Sequence, residues 1–583
     1  MTRKTKTYLF VVGGAFLLLV GIPLWFIFGP PRRLVISPET TVLTEPLTAD
    51  GQVDYVTAVI EQQRVGVTQD NNAAIPLLRA TWPCELEPNE QQIVCEELGI
   101  EPPQKDGLNK LDYDDARLER ITAWASEKWG VDLTDEAEFD FNPYDHIEEA
   151  TSHPWSRAQI PPLAEWIDDH ADSFALLHQM EDRDHFFCPS PSLFVAGRSL
   201  ASTVGPDVVV MRTAARALST RAMMHIGEGK PQLAWRDLRL LFVMTRLPCV
   251  ERHMVYTLVA CAVNGIACQG LEQLLNSGQC DRALLEEIDR FFTALPPIAD
   301  PAIIVDQYER WMLLEMVVRE NHEEWFSLLF VDPDRPQGPK WLLSLPIDKN
   351  ATLRRMNQRI DEMAAIIAIQ DPLQMKLAGK QFDDQLQQAV NDWGDLGPTA
   401  AATISQSVRG IYAADLMASW LMTAYPQAKL AQFRCNTTER MLRVAVALEK
   451  FRLEGGEYPD SLSQLSGQLD VRLLIDPYAA GRQFRYERRD KGYLLLSVFE
   501  NELDDGGDSI SGEILNGEWV GEDEERSNWP DVDLVLRFPM PPLVLTKPKT
   551  RAEVEAEFDW LYGDEGGNEE EMLEEMEEAY PVE

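Results

Sequence analysis

Between Tyr8 and Gly29 the chain carries 22 consecutive residues without a charge, and no other feature limits its architecture as strongly. As one helix this run is long enough to cross a hydrocarbon core of about 30 Å. It exceeds the roughly 7–15-residue apolar stretch of a secretory signal, and no small-x-small cleavage site closes it. A cleaved signal peptide therefore ranks behind an uncleaved signal-anchor. Arg3, Lys4 and Lys6 precede the run, and Pro30-Pro31 ends it before Arg32 and Arg33. The basic N-terminal flank makes residues 1–33 a cytoplasmic tip and transmembrane anchor, with the remainder extracytoplasmic. No later segment reaches about 18 uninterrupted apolar residues, so a single pass through the membrane is expected.

Beyond the anchor, 583 residues with an apolar fraction of 45% allow several domains and a sizeable core. The formal net charge is −43, from 53 basic and 96 acidic residues. Phosphate binding needs clustered Lys and Arg, so nucleic acid is excluded as a partner. The excess acid suits a solvated surface, calcium loading or a basic partner.

Residues 34–54 are polar, with Pro and Thr, and read as a linker that lifts the body off the membrane. Residues 55–160 form an N-terminal helical and irregular segment. Thr68 or Asp70 is placed to cap a helix through Ala80, with Pro76 disturbing its first turns. From 83 to 160 the Pro, Asp and Glu content allows short helices at best. Residues 161–435 carry helical periodicity and form an irregular α-helical body. Leu233, Trp235, Leu238, Leu241 and Phe242 fall largely on one face of a helix. Leu258–Leu275 is apolar nearly all round, which predicts a buried helix. Gly227, Gly229 and Pro231 punctuate the region as in a helical hairpin. Further helices are expected over Ile303–Arg319, Ala351–Ile369 and Thr399–Lys429. The fold class is thus mainly α, closed by a small α+β unit over 436–545 and an acidic, solvated tail over 546–583.

That α+β unit has a specific order. An amphipathic helix over Glu439–Leu453 carries Met441, Leu442, Ala445, Leu448 and Phe451 on one stripe and stops at Gly455-Gly456. Glu457-Tyr458-Pro459-Asp460 follows, then Asp476-Pro477-Tyr478, then the strands Phe484-Arg485-Tyr486 and Gly492–Val498, with Tyr493 and Ser497. Next come an acidic glycine loop over Glu500–Asp508, Asn528-Trp529, and a final strand over Asp533–Phe538. In this order the block resembles the globular domain of the type II secretion major pseudopilin. Together with Asn71-Asn72-Ala73-Ala74, it is similar to large, uncharacterised, membrane-anchored bacterial proteins that end in such a domain. The likeness covers the two ends of the chain better than its middle. It implies antiparallel strands, an inner (cytoplasmic) membrane location with the bulk of the chain periplasmic, and a calcium ion in the acidic loop. The ligands would be Asn501, Asp504, Asp505, Asp508 and Asp533, a flexible oxygen set of the kind Ca²⁺ takes. Two departures argue against a pilus subunit: the apolar run 8–29 holds no acid, and the whole helical body separates it from the pilin-like block.

Eight cysteines are present and none forms a C-x-x-C pair, so a zinc site by spacing is not expected. Cys84 and Cys95 flank one short polar loop and are the expected disulfide of an exported chain. Cys261 and Cys268 stand two helical turns apart, too far to bridge, and read as small buried hydrophobes. Asp182, Asp184 and His185, and Glu320, His322 and Glu323, read as surface charge. No Gly-x-Ser-x-Gly elbow, phosphate loop or dinucleotide fingerprint occurs, and no catalytic residue is assigned. The expected function is therefore that of a membrane-anchored structural or interaction component with protein partners. An enzyme with its site in the helical body, or a secretion or pilus-like component, are the alternatives.

Overall fold

The computed structural model describes residues 22–553 apart from 85, 109–114, 135–138, 140, 196, 203–204, 248–252, 320–339, 490–491, 499–513, 516–517, 520–533, 539–544 and 546. It is mainly helical, with a small antiparallel sheet near the C-terminal end.

The end of the apolar run is helical over Ile22–Phe28 (α1). Residues 34–54, expected to be a linker, instead lie against the body: Thr40 and Thr41 are fully buried, and the Tyr55 hydroxyl donates to the Thr41 carbonyl at 2.7 Å. Tyr55–Gln63 forms α2, capped by Asp54, whose side chain accepts from the Thr57 N–H. Ala74–Ala80 (α3) starts later than Thr68 or Asp70 would have it, because Asn72 Oδ1 accepts from the Ala74 N–H at 3.1 Å. The same oxygen accepts from the Phe187 N–H at 2.9 Å, and Asn72 Nδ2 donates to the Phe187 carbonyl at 2.8 Å. Pro76 is harmless in this first turn, where its missing N–H has no intrahelical partner. The stretch 83–160 is more ordered than expected and includes the 15-residue helix Asp115–Trp129.

Pro206–Gly227 (α4) and Pro231–Met244 (α5) form the expected hairpin. Gly227 is required there: a Cβ at this position would stand 2.0 Å from the Trp155 carbonyl oxygen. Met254–Asn276 (α6) packs against both helices. Among the described residues it alone is long and apolar enough to cross a membrane, yet 67% of its most apolar window is buried in the body, as a core helix requires. Pro301–Ile304 then opens a helix, one π turn follows over Val305–Glu309, and Arg310–Arg319 (α7) continues it.

Lys349–Ile367 (α8), Pro372–Asp392 (α9), Leu396–Ile404 (α10) and Gln406–Leu421 (α11) complete the body. Helix α9 was not anticipated, although Asp371 caps it, Pro372 opens it, and Met375, Phe382, Leu386 and Val390 line its buried face. Tyr425–Gly455 (α12) is one unbroken helix of 31 residues, so the boundary drawn at 435/436 falls inside it. Its first half, Tyr425 to Phe433, belongs to an apolar core shared with α2, α7, α8, α9 and α11. Its second half, Cys435 to Leu448, belongs to a core shared with α3–α6 and the sheet. Gly456 ends it with φ +83, the left-handed conformation that glycine adopts at least cost.

The sheet pairs Arg485–Arg489 (β1) with Gly492–Ser497 (β2), and β2 with Leu534–Phe538 (β3), all antiparallel. Every residue of β2 is buried. The Tyr458 ring meets Tyr493 edge-on at 5.0 Å, and its hydroxyl donates to Glu449 on α12 at 2.5 Å. Asp476 fastens the connection: it is buried and accepts from the Tyr478 N–H at 2.9 Å, the Ser497 hydroxyl at 2.8 Å and the Val498 N–H at 3.1 Å. A buried hydrogen bond to a charged group contributes about 1.5–3 kcal/mol. Ser497→Ala is therefore expected to lower the unfolding free energy by about that much, read from urea titration.

Candidate functional site

The most elaborate polar construction among the described residues lies where the apolar run meets the body. Arg409, near the start of α11, is fully buried. Its five N–H groups meet backbone carbonyls and no carboxylate. Nε and Nη2 donate to Pro346 at 2.9 and 2.7 Å, Nη1 to Ala402 and Thr403 at 2.9 and 2.8 Å, and Nη2 to Ile27 at 3.0 Å. One guanidinium therefore serves the last carbonyls of both α1 and α10, groups that a helix leaves unsatisfied at its C-terminus and that favour a cation. Gln406 adds a bond to the Gly29 carbonyl at 2.9 Å. The chain then runs along α8. Arg32 pairs with Asp348 at 3.3 Å, Asn350 accepts from the Val35 N–H at 2.7 Å and donates to the Arg33 carbonyl at 2.9 Å, and Asn357 donates to the Thr40 carbonyl at 2.9 Å.

Farther along α8 a groove of about 770 Å³ opens beside the π turn, between Glu39, Leu43, Arg310, Trp311, Arg354 and Asp361. A single π turn inside an α-helix frequently marks a functional position. Here Arg310 is buried and fully engaged, with Asp306 and Asp361 each at 2.6 Å and Asn357 Oδ1 at 3.1 Å. The groove thus presents paired charges and an indole, and its lining includes no histidine, cysteine, serine or threonine.

A second polar cluster is closed. His178 Nδ1 meets Glu181 and Nε2 meets Asp237, both at 2.9 Å, while Arg221 Nε donates to Asp237 at 2.8 Å and Arg239 pairs with Glu181. Burial pulls the imidazole toward its neutral form, but the bonds to Asp237 and Glu181 outweigh it and raise the His178 pKa above the ordinary value. Asp237 is buried too, which alone would raise its pKa; His178 and Arg221 hold it below the usual carboxylate range. Partnered on every side, these groups stabilise α4 against α5.

The residues expected to ligate calcium, Asn501, Asp504, Asp505, Asp508 and Asp533, lie outside the described residues, as do Glu320, His322 and Glu323 and residues 8–21 of the apolar run. Among the described residues no group of three or more His, Cys, Asp or Glu side chains is arranged to hold a metal. The expected Cys84–Cys95 bridge is not formed. Both are buried thiols, with the Cys84 sulfur turned back to the Leu78 carbonyl at 3.7 Å and Cys95 facing the apolar core from the helix Pro88–Leu98. Cys261 and Cys268 are buried, as their spacing in an apolar helix suggested. His185 Nδ1 lies within hydrogen-bond distance of the exposed Asp184, at 2.7 Å. Sequence reasoning missed Arg409, whose only local signal is a lone Arg on an otherwise apolar helix face. No protein-family model, curated protein or solved structure matches this chain.

Proposed function

We propose that the chain is a single-pass, membrane-anchored extracytoplasmic protein that acts as a structural or protein-interaction component, with residues 8–29 as its anchor. The observation that carries this reading is the seat built for the end of the apolar run. A fully buried arginine binds the Ile27 carbonyl, and the segment that follows is laid along α8 instead of hanging free. Such a joint fixes how the body stands relative to the run, which an anchored scaffold needs and a cleaved leader does not. The paired-charge groove beside Trp311 is the surface we assign to protein partners.

A long helix feeding an antiparallel sheet supports reading the C-terminal unit as pseudopilin-like. With that reading come the inner membrane and a periplasmic body, and calcium at the acidic loop. Topology and attachment are tested together by a periplasm-dependent reporter fused after residue 583, followed by alkaline carbonate extraction of membranes. An active reporter on a chain that stays with the membrane pellet is expected. A cytoplasm-only signal, or release of the full-length chain by carbonate, would reject the reading.

A further inference from the structure

The short helix α10 is built inside out for a surface helix in water. Its outward residues are Leu396, Gly397, Ala400, Ala401 and Ile404, with Leu396 91% and Ile404 53% exposed. Its hydroxyls turn to the protein's own backbone: Thr399 donates to the Trp393 carbonyl at 2.6 Å and Thr403 to the Thr399 carbonyl at 2.7 Å. No residue from Leu396 to Ile404 is charged. A surface helix in water presents the opposite pattern, and an outward apolar face of this kind marks an interaction surface.

Its neighbours indicate what covers it. Helix α10 packs against α1, and Arg409 binds the terminal carbonyls of both, Thr403 and Ile27, so the two helices end at one level. On α1, Leu24, Trp25 and Phe28 are exposed, Trp25 by 66%. Trp341, 51% exposed, stands five residues before Pro346, whose carbonyl shares the same guanidinium. Indole side chains of this kind favour the membrane–water boundary. Nine residues rise only about 14 Å as a helix, too little to span a bilayer. Asp392 and Asp395, exposed just before α10, keep its entry at the level of water and headgroups.

From this we infer that α10 is a second membrane contact, a foot whose Leu396–Ile404 face lies in the lipid interface beside the anchor. It rests on the reading of residues 8–29 as the anchor and adds to it a fixed orientation of the body on the bilayer surface. The apolar face of such a helix sits at the boundary between headgroups and acyl chains.

The test uses the full chain in phospholipid vesicles, with the photo-crosslinking residue benzoylphenylalanine placed singly at Leu396, at Trp25 and at the exposed Leu233 of α5. After irradiation, adducts are identified by mass. Phospholipid adducts at 396 and 25, and none at 233, are the expected result. Adducts at 25 but none at 396, or crosslinks from 396 to a second copy or to another segment of the chain, would overturn the foot and leave the anchor standing. Lipid adducts at neither position would remove the anchor reading and the foot with it.

Discussion

Replacing Arg409 with methionine is expected to lower the unfolding free energy by about 2–4 kcal/mol, because it strips donors at once from the buried Ala402 carbonyl and from the half-buried carbonyls of Ile27, Pro346 and Thr403. The side chain is fully buried and bonds Ile27, Pro346, Ala402 and Thr403. Methionine fills much of the volume but donates nothing, so the buried Ala402 carbonyl keeps its desolvation cost without a partner, and the half-buried ones keep part of theirs. Removing the guanidinium also abolishes the cost of burying it, which holds the net loss below the sum of the bonds. Arg409→Lys retains the charge but has three donors where arginine has five, so an intermediate loss is expected. Thermal unfolding of the purified chain reads the stability. Trypsin reads the joint: cleavage after Arg32 and Arg33 should speed up in the methionine variant, because the segment beyond them is held along α8 only while its upstream end is seated. An Arg409→Met chain that melts like the original and is cut no faster would show that the five bonds contribute nothing to the native state.

Asp237→Asn is the second large effect. Asp237 is buried with His178 on one oxygen and Arg221 spanning both. Neutralising one member of such a set while leaving the cations in place costs about 3–5 kcal/mol, most of it from uncompensated buried charge. The same substitution should change how stability depends on pH. His178 has a folded-state pKa above its unfolded value, so the native state binds its proton more tightly. Its stabilisation is complete below about pH 6.5, the unfolded value, and is lost as pH rises through the higher folded value. The carboxylates work from the other side: Asp237 and Glu181 are held low, so their contribution is present above the ordinary carboxylate range and fades in acid. Urea midpoints of the original chain should therefore fall from near-neutral toward alkaline pH. In Asp237→Asn that alkaline slope should shrink, with Glu181 remaining as the one carboxylate on the ring. An unchanged slope would mean that His178 does not carry the proton.

What could be read from the sequence is what local spacing encodes. The stripe through Trp235, Leu238, Leu241 and Phe242 and the stop at Gly456 each depend on neighbours within a few turns, and the structure shows both, although Leu233, expected on the same stripe, is exposed. The all-round burial expected of α6 is corrected: most of it is buried, but Leu258, Ala262, Gly265 and Gln269 form an exposed stripe along one face. Asp476 and Ser497 stood out only as points of the resemblance, and the structure joins them: one carboxylate ties the loop to the end of β2. Arg409 escaped notice because its partner Ile27 is 382 residues away, and backbone carbonyls leave no trace in side-chain identity. Residues 34–54 read as a linker from their polar composition, which cannot reveal that the Val35 N–H is held by Asn350 and the Thr40 carbonyl by Asn357. The helix Pro372–Asp392 carried its signals in plain view, in Asp371, Pro372 and the Phe382–Leu386–Val390 spacing, but its many Gln and Asp residues masked them. Cys84 and Cys95 were paired on proximity in sequence, whereas the side chain of Cys84 is directed to the helix before it.

The 31 residues of α12 have a mechanical consequence. At 1.5 Å per residue the helix is a strut of about 46 Å. Its Tyr425–Phe433 half is embedded in one core and its Cys435–Leu448 half in the other. Neither core can melt without stripping half the strut of its packing, and an isolated half-helix has little stability in water. The two cores should therefore lose structure in one transition, and a load applied at the C-terminal sheet should reach the Arg409 end of the body through a stiff rod instead of a slack tether. A fragment cut at residue 436 would not release a bead from a string; it would saw through the beam on which both halves are mounted.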